Sequence, residues 1–445
     1  VSRPSYPFEV RARDLVAIAL PASVAFITEP VAGLVDITVV GRLGDAALLG
    51  GVVIGALIFD FIFSLAYFLR IGTGGLTAQS VGARDADDGL VHVARAICVA
   101  VVAGLGMLVL QVPLLWLSTS LMAPEPAVTA AFAEYFSVRI WSAPFSLINY
   151  CLLGWFYGRA AATTGMALQM VMHGVNIALS LLFVGVFGWG VAGAAAGTVI
   201  GAMVSCALGL TLLVRHFGGL RALLGRITPA QLRDPSGLRR MFALSRDLMI
   251  RSIALMSAYA WFAGQGSRMG AVPLAANAIL LNFLMIGAFF LDGMAQAAEQ
   301  LCGKAVGANW RPAFERAYRL SFALGLFLAA ALAIAVLAFG PFMISVMTTS
   351  YPVQMQAADF LRFASIAMLV SMPSFLYDGI LTGVTLNTVM RNGMLFSLVV
   401  FLVAVLTLQP LYGNAGLWSA LTIWFIARAS YYWWALRRRT ASLFT

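Results

Sequence analysis

The chain reads as an all-α polytopic membrane protein, with twelve transmembrane helices in two six-helix lobes that are parallel repeats. Three observations predict this. The 445 residues are 61% hydrophobic and only 10% charged, against about 25% charged in a soluble domain. Lys and Arg fall mostly on alternate connections. Four glycine-containing landmarks recur in order at a near-constant offset. Mean hydropathy is +0.92. At roughly 30–35 residues per span and connection, the length accommodates about twelve helices.

Apolar runs place spans at about 15–41, 47–80, 93–117, 129–158, 166–188 and 191–215. A polar connection follows at 216–242, with Gly218, Gly219, Pro229 and Pro235. Further spans are read at about 243–266, 272–303, 317–347, 353–385, 391–410 and 414–436. The organisation is therefore an N-terminal lobe (1–215), an inter-lobe linker (216–242) and a C-terminal lobe (243–445). No short apolar core with a small-residue cleavage site follows Arg3, Arg11 and Arg13, so no cleavable signal peptide is read.

With the N-terminus inside, 22 of the 28 Lys and Arg residues fall on inner segments. Orientation follows such a bias, so both termini are expected in the cytoplasm of a plasma (inner) membrane protein. Arg42 and Arg268 stay in outer loops, Arg139 and Arg362 lie near outer helix ends, and Arg70 and Arg428 fall within spans. This asymmetry accounts for the pI of about 9.8 without nucleic acid as a partner.

The repeat pairs Leu43-Gly44 with Met269-Gly270 and Val81-Gly82-Ala83 with Val306-Gly307-Ala308. It also pairs Gly154 and Gly158 with Gly379 and Gly383, and Gly190 to Gly193 with Gly413 to Gly416. The offset stays between 223 and 226. An even number of spans separates the copies, so they share an orientation. Parallel repeats of this kind build alternating-access carriers.

Span 1 carries Asp36 in an otherwise apolar run, six residues after Pro30. An ionisable group in lipid is expensive and marks a functional site by default. The competing reading is a structural aspartate bonded to a neighbouring helix. Asn149 in span 4, Asn176 and Ser180 in span 5 and Thr198 in span 6 could surround a small cation with Asp36. Each could equally bond a backbone carbonyl. A single carboxylate is thin for sodium and suits a proton, although sodium stays open.

Span 2 carries Asp60 and Arg70, and span 8 carries Asp292 and Glu299. Arg70 and Asp292 lie at matching repeat positions, so they could pair across the lobes or each within its own, for instance Asp60 with Arg70. Tyr377 and Asp378 in span 10, with Met285 and Phe289 in span 8, are candidates for a substrate cavity or gate. Methionine and aromatic walls adapt to cargo and attract organic cations.

Cys98, Cys151, Cys206 and Cys302, and His92, His173 and His216, have no disulfide or metal spacing. No phosphate loop, Gly-x-Ser-x-Gly or His-Glu-x-x-His motif is present. The chain is therefore not read as an enzyme and no cofactor is expected; an ion gradient must supply the energy.

Several of these residues together resemble the MATE (multidrug and toxic compound extrusion) family, in its DinF-like branch. They are Gly33-Leu34-Val35-Asp36 with Val40 to Gly44, Phe68 to Gln79, Asn176 to Leu179, Gly188 to Ala195, and Leu291-Asp292-Gly293 with Ala297 to Glu299. The likeness covers essentially the whole chain. It implies the MATE-like fold, with Asp36 as the coupling residue and Asn149, Asn176 and Thr198 in a polar network. One departure is Ser180, where similar transporters often carry a second Asp. The resemblance implies an exporter driven by inward proton or sodium flow; with its single carboxylate, the chain is read as a secondary multidrug exporter that antiports amphipathic organic cations against protons. Sodium coupling, or export or flipping of an amphiphilic or anionic metabolite, are the alternatives. The chain is read as a monomer in the lipid bilayer.

Overall fold

The structure, a computed structural model, describes residues 4–122 and 125–444. The side chains of 233, 236–238, 240–242 and 244 lie outside that description. Arg233 and Arg240 are among them, and Arg3 lies outside it altogether, so part of the charge pattern is not placed. Among the described residues the chain is 90% helix, with no strands. Nine helices there are long and apolar enough to cross a membrane.

In chain order the helices begin with α1 (Ala12–Gly41), α2 (Ala46–Ala66), α3 (Phe68–Gly82), α4 (Ala86–Val109) and α5 (Gln111–Met122). Then come α6 (Pro126–Arg139), α7 (Ala143–Gly158), α8 (Ala162–Gly185) and α9 (Gly190–His216). Two short helices, α10 (Leu220–Gly225) and α11 (Pro229–Arg233), lie in the connection. The remainder is α12 (Pro235–Arg268), α13 (Ala271–Gly307), α14 (Arg311–Met347), α15 (Tyr351–Gly383) and α16 (Asn387–Arg439).

Several stretches expected to be single spans are interrupted. The second breaks at Tyr67, the third at Leu110, and the fourth at a 3-10 turn, Ile140–Ser142. Pro144 opens α7, where a proline's missing N–H costs nothing. Conversely, α16 runs on through Gly413, whose φ of 57° and ψ of −130° mark a kink. Pro229 opens α11, and Thr228 and Gln231 close a capping box there.

Two compact units are present. The first, Val24–Phe242, contains the connection as well as its bundle. Arg95 on α4 donates to the Gln231 carbonyl at 2.6 and 2.9 Å, and Arg226 pairs with Asp87 at 2.9 Å. The second unit groups Val1–Ser23 with Ala243–Thr445. There the Tyr6 N–H donates to the Ala308 carbonyl at 2.9 Å and Arg316 Nε to the Val10 carbonyl at 3.0 Å. Its core is aromatic, with Phe262, Phe283, Phe401, Trp418, Trp424 and Phe425 buried together.

The backbone repeats between the two halves at fine scale. Gly44 and Gly270 have φ of 77° and 113°, and Gly190 and Gly413 have 56° and 57°. Four other residues hold positive φ without being glycine: Arg84 (58°) and Asn309 (49°), Ala160 (60°) and Thr385 (57°). Each pair falls at the offset of the sequence repeat. Left-handed backbone costs an L-residue roughly 1–2 kcal/mol. Its recurrence at matched positions reflects a shared helix-ending geometry.

Candidate functional site

The first unit holds the polar centre. Asp36 on α1 is only 7% exposed. The residues on either side of it in the helix, Val31 to Val35 and Ile37 to Gly41, are apolar apart from Thr38. Asn176 Nδ2 on α8 donates to Asp36 Oδ2 at 3.3 Å. Asn176 Oδ1 in turn accepts from Ser180 Oγ at 3.0 Å and from Thr198 Oγ1 at 3.2 Å. Asn176 and Ser180 share a face of α8 because they lie four residues apart. Thr198 comes from α9, which packs closely against α8.

Glycines make that approach possible. A Cβ on Gly197 would lie 2.8 Å from Ser180 Oγ, 3.0 Å from the Ser180 nitrogen and 3.1 Å from the Asn176 oxygen. Two of these neighbours are backbone, so the helix itself would have to move. Gly197→Ala is therefore expected to cost about 1–3 kcal/mol, as overpacking does, and to depress transport by displacing Ser180. Thermal unfolding of the purified variant, beside its efflux rate, checks this.

The hydroxyls of Ser180 and Thr198 are also close enough to act on Asp36 as hydrogen-bond donors. A hydroxyl carries one rotatable proton. Each can serve Asn176 Oδ1 or the carboxylate, but not both at once. Asp36 Oδ1 is buried and has no hydrogen-bond partner. The arrangement can therefore add or release one proton at Asp36, with hydroxyl rotation as its response.

Asn149 is turned elsewhere. Its Nδ2 donates to the Ala202 carbonyl at 3.0 Å and contacts Met172 Sδ at 3.7 Å. No metal-like cluster of three or more His, Cys, Asp or Glu side chains is found among the described residues. Arg70 is buried on α3, with its guanidinium over the rings of Phe26 (4.5 Å), Tyr67 (4.9 Å) and Tyr157 (5.2 Å).

The second unit uses its predicted polar residues internally. Asp378 Oδ2 accepts from Arg251 Nη2 at 2.6 Å, with both side chains largely buried. The Tyr377 and Tyr318 hydroxyls are 2.7 Å apart. Glu299 is buried on α13. Gly383 allows α15 to pack there, since a Cβ would lie 2.9 Å from the Glu299 carbonyl carbon. Asp292, Met285 and Phe289 are half-buried along the same helix.

Three arrangements were not anticipated from sequence. Asp247 pairs with Arg391 at 2.7 Å and accepts from Thr388 at 2.7 Å. Asn277 and Asn414 exchange hydrogen bonds at 2.7 and 2.9 Å, with Trp418 Nε1 on Asn277 Oδ1 at 2.9 Å. The stretch expected to be one fourth span breaks just after Arg139, at the 3-10 turn Ile140–Ser142 between α6 and α7. The signal for it was Pro144, which marks a helix restart in mid-span.

Helices of membrane-spanning length, repeated glycine-rich turns and a buried carboxylate with an amide and hydroxyl network define a multi-pass membrane transporter. The MatE family model matches residues 21–182 and again 248–410, and the chain belongs to this family of MATE transporters. DNA damage-inducible protein F of Escherichia coli is 34% identical over 411 residues, 92% of this chain and 89% of the relative. Protein DETOXIFICATION 44, chloroplastic, of Arabidopsis thaliana is 24% identical over 96% of this chain and 82% of its own length. The multidrug export protein MepA of Staphylococcus aureus is 21% identical over 42% of each chain.

Among solved structures, an outward-facing multidrug resistance MATE transporter aligns with a TM-score of 0.88 at 19% identity, covering 98% of this chain and 97% of its own. A MATE transporter in a straight conformation aligns with the same score and identity, covering 97% and 96%. Relatives that export drugs support a multidrug exporter as the class, and the relatives are transporters rather than enzymes.

Proposed function

We propose that the protein is a twelve-helix exporter of amphipathic organic cations. It antiports them against protons by alternating access, with Asp36 as the coupling residue. It works as a monomer in the plasma (inner) membrane, with both termini cytoplasmic. The observation that carries this reading is the solitary buried Asp36, held by Asn176 and flanked by two rotatable hydroxyls. In the cycle, cargo binds from the inside while Asp36 is ionised. A proton then reaches Asp36 from the outside, the hydroxyls of Ser180 and Thr198 turn back to Asn176, and cargo leaves. Ser180 contributes no second carboxylate, which favours a proton over sodium. Arg70, Asp292, Glu299, Tyr377, Asp378, Met285 and Phe289 belong to the substrate cavity or its gate.

The test is efflux from proteoliposomes under an imposed pH gradient and then an imposed sodium gradient. Efflux that follows the pH gradient alone supports the reading; efflux that follows sodium alone overturns the coupling ion.

One observation favours an anionic or amphiphilic metabolite as the cargo. Arg428 is 1% exposed among Phe375, Trp424 and Phe425, and its Nε and Nη2 have no hydrogen-bond partner. Buried donors of this kind seek an acceptor. Competition of citrate or a bile salt against a cationic dye in the same vesicles separates the two cargoes.

A further inference from the structure

We propose that the second unit holds a site for the headgroup of an anionic phospholipid, between the end of α12 and the kink of α16.

A cavity of about 360 Å³ opens there, within the size range of small-ligand sites, roughly 300–1,000 Å³. From α12 it is lined by Gln265 and Arg268, which lie three residues apart and so share a helix face. From α16 it is lined by Val405, Leu406 and Gln409. Gln265 is only 7% exposed, and its amide has no hydrogen-bond partner among the described residues. Buried polar groups are normally paired. Arg268 is exposed at the cavity wall and pairs with no carboxylate among the described residues. A buried amide aimed into a cavity beside an unpaired guanidinium is a site for an anion.

The cavity walls are held in place. Pro410 has no N–H, so the Leu406 carbonyl four residues back loses its helical donor. Gly413 then turns the chain at φ 57° and ψ −130°. Asn414, the next residue, fixes that kink by exchanging hydrogen bonds with Asn277 on α13 at 2.7 and 2.9 Å. Gly266 brings α12 to the same pair, since a Cβ there would lie 3.4 Å from Asn277 Nδ2. Three helices thus set the shape of the cavity.

The first half lacks this polarity. At the offsets of the repeat, Val39 corresponds to Gln265, Val186 to Gln409, Gly51 to Asn277 and Val191 to Asn414. Arg268 keeps a counterpart in Arg42. The amides are therefore an addition to the repeat and not part of its shared scaffold.

The lining specifies the headgroup. Arg268 and the two glutamine amides can donate to the oxygens of a phosphodiester, and a guanidinium–phosphate bond is charge-assisted. No carboxylate lines the cavity to receive a choline or ethanolamine cation, so a headgroup without positive charge fits. Acyl chains have a surface beside it: Val403, Leu406, Leu411 and Tyr412, on either side of Gln409, are large apolar side chains left exposed. A soluble phosphate would use the donors and leave that surface bare.

The experiment adds phosphatidylglycerol or phosphatidylcholine to the purified protein in detergent and counts bound lipid by native mass spectrometry. Wild type is expected to hold one phosphatidylglycerol about tenfold more tightly than phosphatidylcholine, the scale of one charge-assisted hydrogen bond. Arg268→Gln combined with Gln265→Leu is expected to hold the two lipids equally. Arg42→Gln, which removes the matched arginine without amide neighbours, is expected to keep the wild-type preference. Glycerol phosphate at the same concentration is expected not to displace phosphatidylglycerol.

Equal binding of the two lipids by wild type overturns the proposal without any variant, so poor folding of the double variant leaves it testable. A preference that survives in the folded double variant overturns it, because the lipid then sits elsewhere. An equal loss in Arg42→Gln overturns it too, since attraction to basic surface alone would explain the binding. Displacement by glycerol phosphate overturns the lipid as occupant and leaves a site for a soluble phosphate.

Discussion

Asp36→Asn is expected to fold normally and to lose all pH-driven efflux. The amide is nearly the same size and can turn its oxygen toward Asn176 Nδ2, which donates to Asp36 Oδ2 at 3.3 Å. The helix and its packing therefore lose nothing. What disappears is the titratable group, and with it any coupling between the proton gradient and cargo. Asp36→Glu keeps the group but moves it by one methylene, and is expected to retain part of the rate. Proteoliposomes holding each variant, under the same imposed pH gradient, separate the cases. Undiminished pH-driven efflux in Asp36→Asn would sink the assignment of Asp36.

The second large effect is on stability. Arg251→Met is expected to destabilise the protein by about 3–5 kcal/mol, because breaking a buried pair leaves a lone buried charge. Asp378 accepts from Arg251 at 2.6 Å, and its other oxygen has no hydrogen-bond partner. Without Arg251 the carboxylate keeps only the Tyr432 hydroxyl beside it. Combining Arg251→Met with Asp378→Leu removes both charges, and such replacements are often neutral or stabilising. The double variant is therefore expected to recover much of the loss. Thermal unfolding in detergent of the two single variants and the double completes the cycle. Equal stability of wild type and Arg251→Met would show that the pair contributes little.

The sequence made the helices and the polar centre readable for physical reasons. Long apolar runs can satisfy their backbone in lipid only as helices, so composition alone forced the class. Asp36 was legible because no other charged residue falls between Glu29 and Arg42. Asn176, Ser180 and Thr198 were legible because a four-residue spacing and a glycine neighbour place them on facing surfaces, and the structure joins them by hydrogen bonds. Asn149 shares their residue type but not their direction, which depends on the rotation of α7 about its axis and has no local signal.

Partners far apart in the chain were not legible. Arg251 was counted among inner-surface charges because it sits near the connection, yet it pairs with a residue 127 positions away. The break after Arg139 was not legible for a related reason. The run 129–158 is apolar throughout, yet its helix begins earlier, at Pro126, and is interrupted at Ile140–Ser142. Charge pattern reports on which side of the membrane a loop lies, not on how deep a helix carries its side chains.

The paired left-handed residues have an evolutionary consequence. Arg84 and Asn309, and Ala160 and Thr385, share a backbone twist while their side chains have nothing in common. Descent from a duplicated half-length gene accounts for that pattern: the turns were inherited, and the side chains were free to drift. A duplicated ancestor carries two equivalent polar centres, and only one needs to be kept. The twin of the Asp36 stretch, from Ser257 to Arg268, contains no carboxylate. Its helix carries Asp247 and Arg251 instead, which pair with Arg391 and Asp378 within the second unit.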